Sequence, residues 1–261
     1  MGEHHSKKEL GKNMYQFFVE ESNVSATSVL IEGSDVNHAK NVLRMKPGEK
    51  IRACTRDGKG YFCEIAELND SFIRAEILTA DEEGTELPCR IYLFQGLPKN
   101  DKMEWIIQKA VELGVYQIIP VAMKNCVVKL DEKKAKSKVT RWQAIAESAA
   151  KQSKRSLIPE ILMPVSYKEA VKMAEAFDVN LVPYENEHGM AGTKEAVEQI
   201  RGGEQIGIFI GPEGGFAPEE IELVREQMHL ISLGKRILRT ETAGMATLAI
   251  LGYHLESMEN D

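Results

Sequence analysis

From Arg90 onward the chain alternates short apolar runs with segments of helical spacing, and that alternation leaves few folds open to it. The apolar runs predict strands at Arg90 to Phe94, Gln117 to Val121, Val179 to Val182, Gln205 to Ile210 and His229 to Leu233. The spacing between them predicts helices at Lys102 to Leu113, Ser137 to Lys151, Tyr167 to Ala176, Thr193 to Ile200, Pro218 to Gln227 and Thr240 to Ser257. When most strands are followed by a helix, each helix carries the chain back across a sheet face. The result is a mostly parallel α/β sheet.

The first third reads differently. Met14 to about Ala80 is β-rich, with runs at Phe17 to Val19, Val29 to Ile31, Lys50 to Thr55, Tyr61 to Leu68 and Phe72 to Leu78. The turn Arg56-Asp57-Gly58-Lys59-Gly60 joins two of these as an antiparallel pair. A single helix is expected over Ser34 to Met45, capped by Ser34 or Asp35 and stopped by Pro47-Gly48. This pattern suits a small barrel over 14–80, followed by an acidic linker at 81–88 and the α/β region over 89–261. Residues 1–13 are polar, have no apolar core like that of a secretory signal, and are expected to be a disordered leader or tag.

With 43% hydrophobic and 28% charged residues, the chain has ample material for buried cores. No eighteen-residue apolar window is present, so no membrane span is expected. Cys54, Cys63, Cys89 and Cys126 lie apart in or beside apolar runs, which argues against disulfides and a metal site and fits a cytoplasmic location. The net charge of −7 conceals a strong asymmetry, because ten Lys or Arg face three acids between Lys124 and Arg155. A basic patch of that kind keeps a nucleic-acid partner open.

Two strand-to-helix junctions carry the candidate chemistry. Ile206 to Ile210 runs into Gly211-Pro212-Glu213-Gly214-Gly215, and Pro218 then opens a helix. Leu230 to Leu233 runs into Gly234-Lys235-Arg236-Ile237-Leu238-Arg239, and Thr240 or Thr242 caps the next helix. Glycines at such junctions let a flat ligand approach the backbone beyond the carboxyl ends of the strands. Neither is a phosphate-binding P-loop, since no Gly-Lys-Ser/Thr follows. Arg239 stands where a helix dipole disfavours a cation, which points to another demand on it. The last helix is apolar nearly all round and is expected to be buried in the core or between subunits.

GPEGGF followed by LGKRILRTETA resembles the RsmE family of the SPOUT superfamily, the ribosomal RNA small-subunit methyltransferases E. KMEWIIQKAVELGVYQIIP from Lys102, AESAAKQSKR from Ala146 and NHAKNVLRMKPG from Asn37 extend the resemblance over the chain after Met14. The resemblance implies a PUA-like β-barrel, then a SPOUT α/β domain with a deep trefoil knot. It implies a homodimer that uses S-adenosylmethionine, without a metal, to make N3-methyluridine in 16S ribosomal RNA of the 30S subunit or a late precursor. Mapped onto this chain, cofactor contacts fall on Leu181, Val182, Pro183, Gly211, Pro212, Glu213 and Gly214. They continue at Leu233, Gly234, Ile237, Leu238, Arg239, Thr240, Thr242 and Ala243.

Uracil N3 is a poor nucleophile while protonated, so the site must stabilise the imidate or remove the proton. Arg239, a permanent forked cation, suits the first task, and Glu241 the second. RNA contacts are expected at Arg44, Lys99, Lys102, Lys151, Gln152, Lys154 and Arg155. Gln16 departs from the arginine of many relatives. Two other readings stay open: a knotted methyltransferase for a ribose 2′-O or purine base, and an RNA-binding assembly factor without activity.

Overall fold

The computed structural model describes residues 14–82 and 84–258, so the expected leader lies outside the described residues. The chain divides into two units: the first runs to Glu86 and takes in Lys154–Leu157, and the second holds Leu87–Ser153 and the chain from Ile158 onward.

The first unit is a curled five-stranded sheet. Its elements are β1 (Tyr15–Val19), β2 (Ser28–Glu32), a short helix α1 (Ser34–Asn37), β3 (Lys50–Thr55), β4 (Gly60–Leu68) and β5 (Phe72–Asp81). The order is β1-β3-β4-β5-β2, with β1 parallel to β3 and the other pairs antiparallel. Register shifts at Phe62/Cys63 and Ile65/Glu67 bend β4, as bulges do, and the two end strands approach each other. Alternation along the strands turns Phe17, Ile31, Ile51, Ile65 and Ile73 into one core, capped by Val36 and Ala39. Cys63 lies in this core and Cys54 is also fully buried, and burial raises the Cys54 thiol to about 11 and the Cys63 thiol to about 12.

The expected single helix over Ser34 to Met45 is not what forms. Gly33, at φ +74°, takes the N-cap position and no side chain caps the turn. After Asn37 the chain widens into a π-turn at His38–Val42, and Arg44 at φ +57° then ends it. Between Ser34 and Val42 only Val36 and Ala39 are buried. Two apolar anchors are too few to hold a longer regular helix against the sheet.

The second unit is a parallel sheet with helices. In chain order it contains β6 (Arg90–Gly96), α2 (Lys102–Glu112), β7 (Gln117–Ala122), α3 (Glu132–Ser153), β8 (Glu160–Ile161), β9 (Val165–Ser166) and α4 (Tyr167–Ala174). It continues with β10 (Val179–Pro183), α5 (Ala191–Glu198), β11 (Gln205–Ile210), α6 (Pro218–Val224), β12 (His229–Ile231) and α7 (Thr240–Met258). The order β12-β10-β11-β6-β7-β8, with β9 also on β7, is parallel throughout. On one face Phe94 stacks on Phe209 at 4.3 Å and Tyr92 on Phe177 at 4.3 Å. Among the described residues no helix is long and apolar enough to cross a membrane.

The helix α3 begins five residues before the expected Ser137. Asp131 supplies the start: its Oδ1 accepts the Lys134 N–H at 2.8 Å, and that bond lowers the carboxyl below its usual range. Glu132 and Lys136 then pair one turn apart, so a lysine-rich stretch with little apolar spacing is helical on its charges. The two-residue strands β8 and β9 are too short to leave a periodic signal.

Candidate active site

Parallel strands direct their carboxyl ends to one edge, and β6 sits where the order reverses, with β11 on one side and β7 on the other. A ligand crevice is expected at such a switch point. On this edge, the loops leaving β10, β11 and β12 meet around two adjoining cavities of about 340 Å³ each. Their common wall includes Pro212, Gly215, Ile237, Leu238 and Thr240.

Glycine is required at several points of this edge. Gly234 takes φ +102°, a region that side chains rarely adopt. At the end of β6, a Cβ added to Gly96 would stand 2.7 Å from the Pro212 nitrogen, so the Gly-Pro loop packs directly on the strand end. A buried clasp fixes the two loops. Gln95, fully buried in β6, donates Nε2–H to Thr240 Oγ1 at 2.9 Å. Thr240 in turn donates its hydroxyl to the Gly211 carbonyl at 2.6 Å.

An ion cluster adjoins the clasp. Lys102, the first residue of α2, lines the second cavity and holds Glu213 Oε1 at 3.0 Å and Glu241 Oε2 at 3.2 Å. The Lys99 backbone N–H also donates to Glu213, at 3.1 Å to Oε1. Burial pushes the Glu213 carboxyl up, but hydrogen bonds from its own N–H, Lys102 and the Lys99 N–H outweigh this and leave it lowered. The bond to Glu213, then that to Glu241, raises the Lys102 ammonium above its ordinary value. Lys102 therefore stays charged.

The residues expected around a cofactor separate by position. Pro183, Gly211, Pro212, Leu233 and Gly234 line the first cavity, as do Ile237, Leu238, Thr240 and Ala243. Glu213 and Arg239 line the second. Leu181 and Val182 are fully buried inside β10, while Gly214 and Thr242 line neither cavity. Glu241 lines neither either: its Oε2 is buried, 3.2 Å from the Lys102 ammonium.

The expected RNA contacts also divide. Arg44, Lys99 and Gln152 are exposed, and Lys151 pairs with Glu147 at 2.9 Å. Lys102 faces the cavity. Lys154 and Arg155 belong to the first unit, Lys154 half-buried and Arg155 buried. Arg155 is 3% exposed and paired with Glu86, and Lys154 Nζ donates to the Met14 carbonyl at 2.5 Å. Buried Arg52 organises them. It donates Nε–H to Asp81 at 2.8 Å, Nη1–H to the Lys154 carbonyl at 2.5 Å and to Gln16 Oε1 at 2.8 Å, and Nη2–H to Ser156 at 2.6 Å. Gln16 completes the bracket through Nε2–H to the Arg155 carbonyl at 2.6 Å. Cations on a helix end read as a surface patch in sequence; only their burial separates an anchor from a contact.

Several residues escaped the sequence reading. Gln95 was detectable as a lone amide inside the apolar run before Gly96. Glu185 borders both cavities, and Lys235 and Arg236 lie exposed at the mouth of the first beside Ile237, which is 87% exposed. No periodicity marks these loop positions.

Residues 85–252 match the RNA methyltransferase domain family, and residues 31–78 match the RNA methyltransferase PUA domain family. The parallel sheet with its loop-lined crevice and the curled PUA-like sheet thus define an RNA methyltransferase. The chain is 36% identical to ribosomal RNA small subunit methyltransferase E of Bacillus subtilis, over 95% of this chain and 100% of the relative. A crystal structure of ribosomal RNA small subunit methyltransferase E from Neisseria gonorrhoeae, bound to S-adenosyl methionine, matches with TM-score 0.78 and 34% identity, covering 92% of this chain and 98% of that one. The chain belongs to the ribosomal RNA small subunit methyltransferase E family.

Proposed function

We propose that the chain methylates N3 of a uracil in 16S ribosomal RNA, with S-adenosylmethionine as methyl donor. The observation that carries this reading is the wall shared by the two cavities. A donor in one and a base in the other would be held side by side, and positioning is most of what an in-line displacement requires.

The first cavity fits such a donor. Gly211 and Gly234 put backbone without side chains on its wall, Ile210, Leu233 and Leu238 offer apolar faces to an adenine, and the volume lies in the range of small-molecule pockets. When bound, S-adenosylmethionine supplies an electrophilic methyl group on a sulfonium, and that chemistry requires no metal. Among the described residues no cluster of three or more His, Cys, Asp or Glu is placed to hold one. The chain's own task is the base. Arg239 in the second cavity is the proposed partner of the charge that grows on the uracil oxygens as N3 loses its proton. Arg44, Lys99, Lys151 and Gln152 are the proposed RNA contacts.

The same reading extends to a trefoil knot around the donor loops, a cytoplasmic location, a 30S subunit or late precursor as substrate, and a homodimer. The apolar side of α7 supports the dimer, because Tyr253 is 78% exposed and Met190, which lines a groove with it, is 47% exposed. Light scattering on the purified chain tests it: a monomer mass would remove the dimer. The activity is tested with labelled S-adenosylmethionine and either 30S subunits or naked 16S RNA from a strain lacking the enzyme. Nucleoside mapping is expected to give N3-methyluridine. A methylated ribose or purine would move the chain to another substrate, and RNA binding without transfer would leave an assembly factor.

A further inference from the structure

The ammonium of Lys102 is anchored by two carboxylates, one from the loop after β11 and one from the first turn of α7, yet it belongs to the wall of the second cavity. A protonated lysine has three N–H donors. Glu213 at 3.0 Å and Glu241 at 3.2 Å are its ion-pair partners, and among the described residues it has no third. The anchors are themselves fixed. Glu213 is held by the Lys99 N–H, and Glu241 stands in the first turn of α7, directly after the clasp residue Thr240. The Lys102 side chain is 29% exposed, so its head is partly withdrawn from water, where a charge-assisted hydrogen bond counts for more.

We propose that Lys102 is a catalytic residue for the reaction inferred above, giving its third N–H to a carbonyl oxygen of the target uracil. Glu213 and Glu241 are then positioning residues that aim the ammonium and keep it protonated. The assignment rests on the methyl-transfer reading and gives the expected RNA contact at Lys102 a chemical role.

The chemistry balances without a dedicated base. The N3 proton leaves to solvent water or hydroxide, and the negative charge spreads from N3 onto O2 and O4. The Lys102 N–H strengthens its bond to one of those oxygens as the charge grows. The N3 lone pair then forms the new bond to the methyl carbon while the carbon–sulfur pair stays with sulfur, and the base ends neutral. An interaction that is stronger to the imidate than to the neutral imide lowers the pH at which N3 ionises in the site. A donor for this task must stay charged where imides begin to ionise, and the two carboxylates provide for that.

The test compares wild type, Lys102→Met and Lys102→Arg on 16S RNA in single-turnover methylation between pH 6 and 10, with calorimetry of S-adenosylhomocysteine binding alongside. Lys102→Met is expected to bind S-adenosylhomocysteine within about threefold of wild type and to lose on the order of 10²-fold in rate at neutral pH. Its rate midpoint should move to higher pH by about one unit or more, so that the deficit shrinks at pH 10. The deficit should also shrink on RNA carrying 5-fluorouridine, whose N3 proton is more acidic. Lys102→Arg should keep the wild-type midpoint. Parallel loss of S-adenosylhomocysteine affinity and rate at every pH would make Lys102 a pillar of the loops. Weaker RNA binding with an unchanged saturated rate would make it a phosphate contact. Either result overturns the proposal. Absence of N3-methyluridine with the wild-type chain instead removes the underlying reading, so the two failures are distinguishable.

Discussion

The Thr240 hydroxyl donates to the Gly211 carbonyl at 2.6 Å, joining the loop after β12 to the loop after β11. Because Gln95 donates to the same hydroxyl from a fully buried position, the bond is one link of a chain running from the strand β6 to the rim of the cavity. Thr240→Val removes the hydroxyl and leaves the Gln95 amide short of an acceptor, at a cost of about 1–3 kcal/mol. Affinity for S-adenosylhomocysteine should fall by about tenfold or more, since 1.4 kcal/mol is tenfold, and Thr240→Ser should restore it. Calorimetry beside urea unfolding reads both quantities. Full affinity in Thr240→Val would show that the loops hold their shape without the clasp.

Gly96 predicts a sharper effect. Its missing Cβ leaves room for the Pro212 nitrogen, and the contact at 2.7 Å is with backbone rather than with the end of a flexible side chain. Gly96→Ala must therefore push the Gly-Pro loop off the strand. An overpacking cost of about 1–3 kcal/mol is expected, with loss of cofactor affinity larger than that of Thr240→Val. A thermal melt with and without S-adenosylhomocysteine reads the two effects together; an unchanged ligand-induced shift would show that the loop relocates without harm.

What the sequence made legible follows from where periodic signals exist. The strands of the parallel sheet are continuous apolar runs and the helices carry long amphipathic patterns, so β6, β7, β10, β11 and β12 fall near their expected places. The loops at the carboxyl ends were found because glycine and proline punctuate them. Interactions that join distant segments leave no such mark. The bracket of Arg52 around Gln16, Lys154 and Ser156 spans more than one hundred positions, and the Lys102 cluster joins the starts of α2 and α7 to the loop after β11. Helix α1 shows the converse: the local spacing suggests more helix than two buried anchors between Ser34 and Val42 support.

Arg52 and Arg155 give a prediction that separates anchor from RNA contact. Arg52 is 5% exposed and Asp81 lies against it at 2.5 Å, so Arg52→Met leaves a largely buried carboxylate without its cation. Breaking one side of such a pair costs about 3–5 kcal/mol. Arg155→Ala should likewise lower the unfolding midpoint of the chain. The RNA affinity of whatever remains folded should keep its wild-type salt slope, whereas Lys99→Ala should flatten it. A flattened slope in a stable Arg155→Ala chain would return Arg155 to the RNA surface.

Arg239 should separate binding from turnover. Its side chain reaches the second cavity and not the first, so Arg239→Ala is expected to keep S-adenosylhomocysteine affinity within about threefold while losing on the order of 10²-fold in turnover. Arg239→Lys retains the charge without the fork and should fall between. Equal turnover in the alanine variant would remove Arg239 from the mechanism.

The buried thiols of the first unit set an alkaline limit on stability. Burial raises Cys54 from its ordinary value near 9 to about 11 and Cys63 to about 12, because a thiolate there would lose its water. Below pH 9 both folded and unfolded chains carry these protons, and the folded form keeps its full advantage. Above pH 9 the unfolded chain releases them first, so it binds fewer protons and stability falls with rising pH. The contribution of Cys54 is lost as the pH passes through about 11, on the order of 3 kcal/mol for two units, and that of Cys63 by about 12. Urea unfolding between pH 8 and 11 should therefore show a falling midpoint, with a shallower fall in Cys54→Ala/Cys63→Ala. At pH 8 iodoacetamide should leave both thiols unmodified in the folded chain and modify them in urea. An identical slope in the double variant would mean that other groups set the alkaline limit.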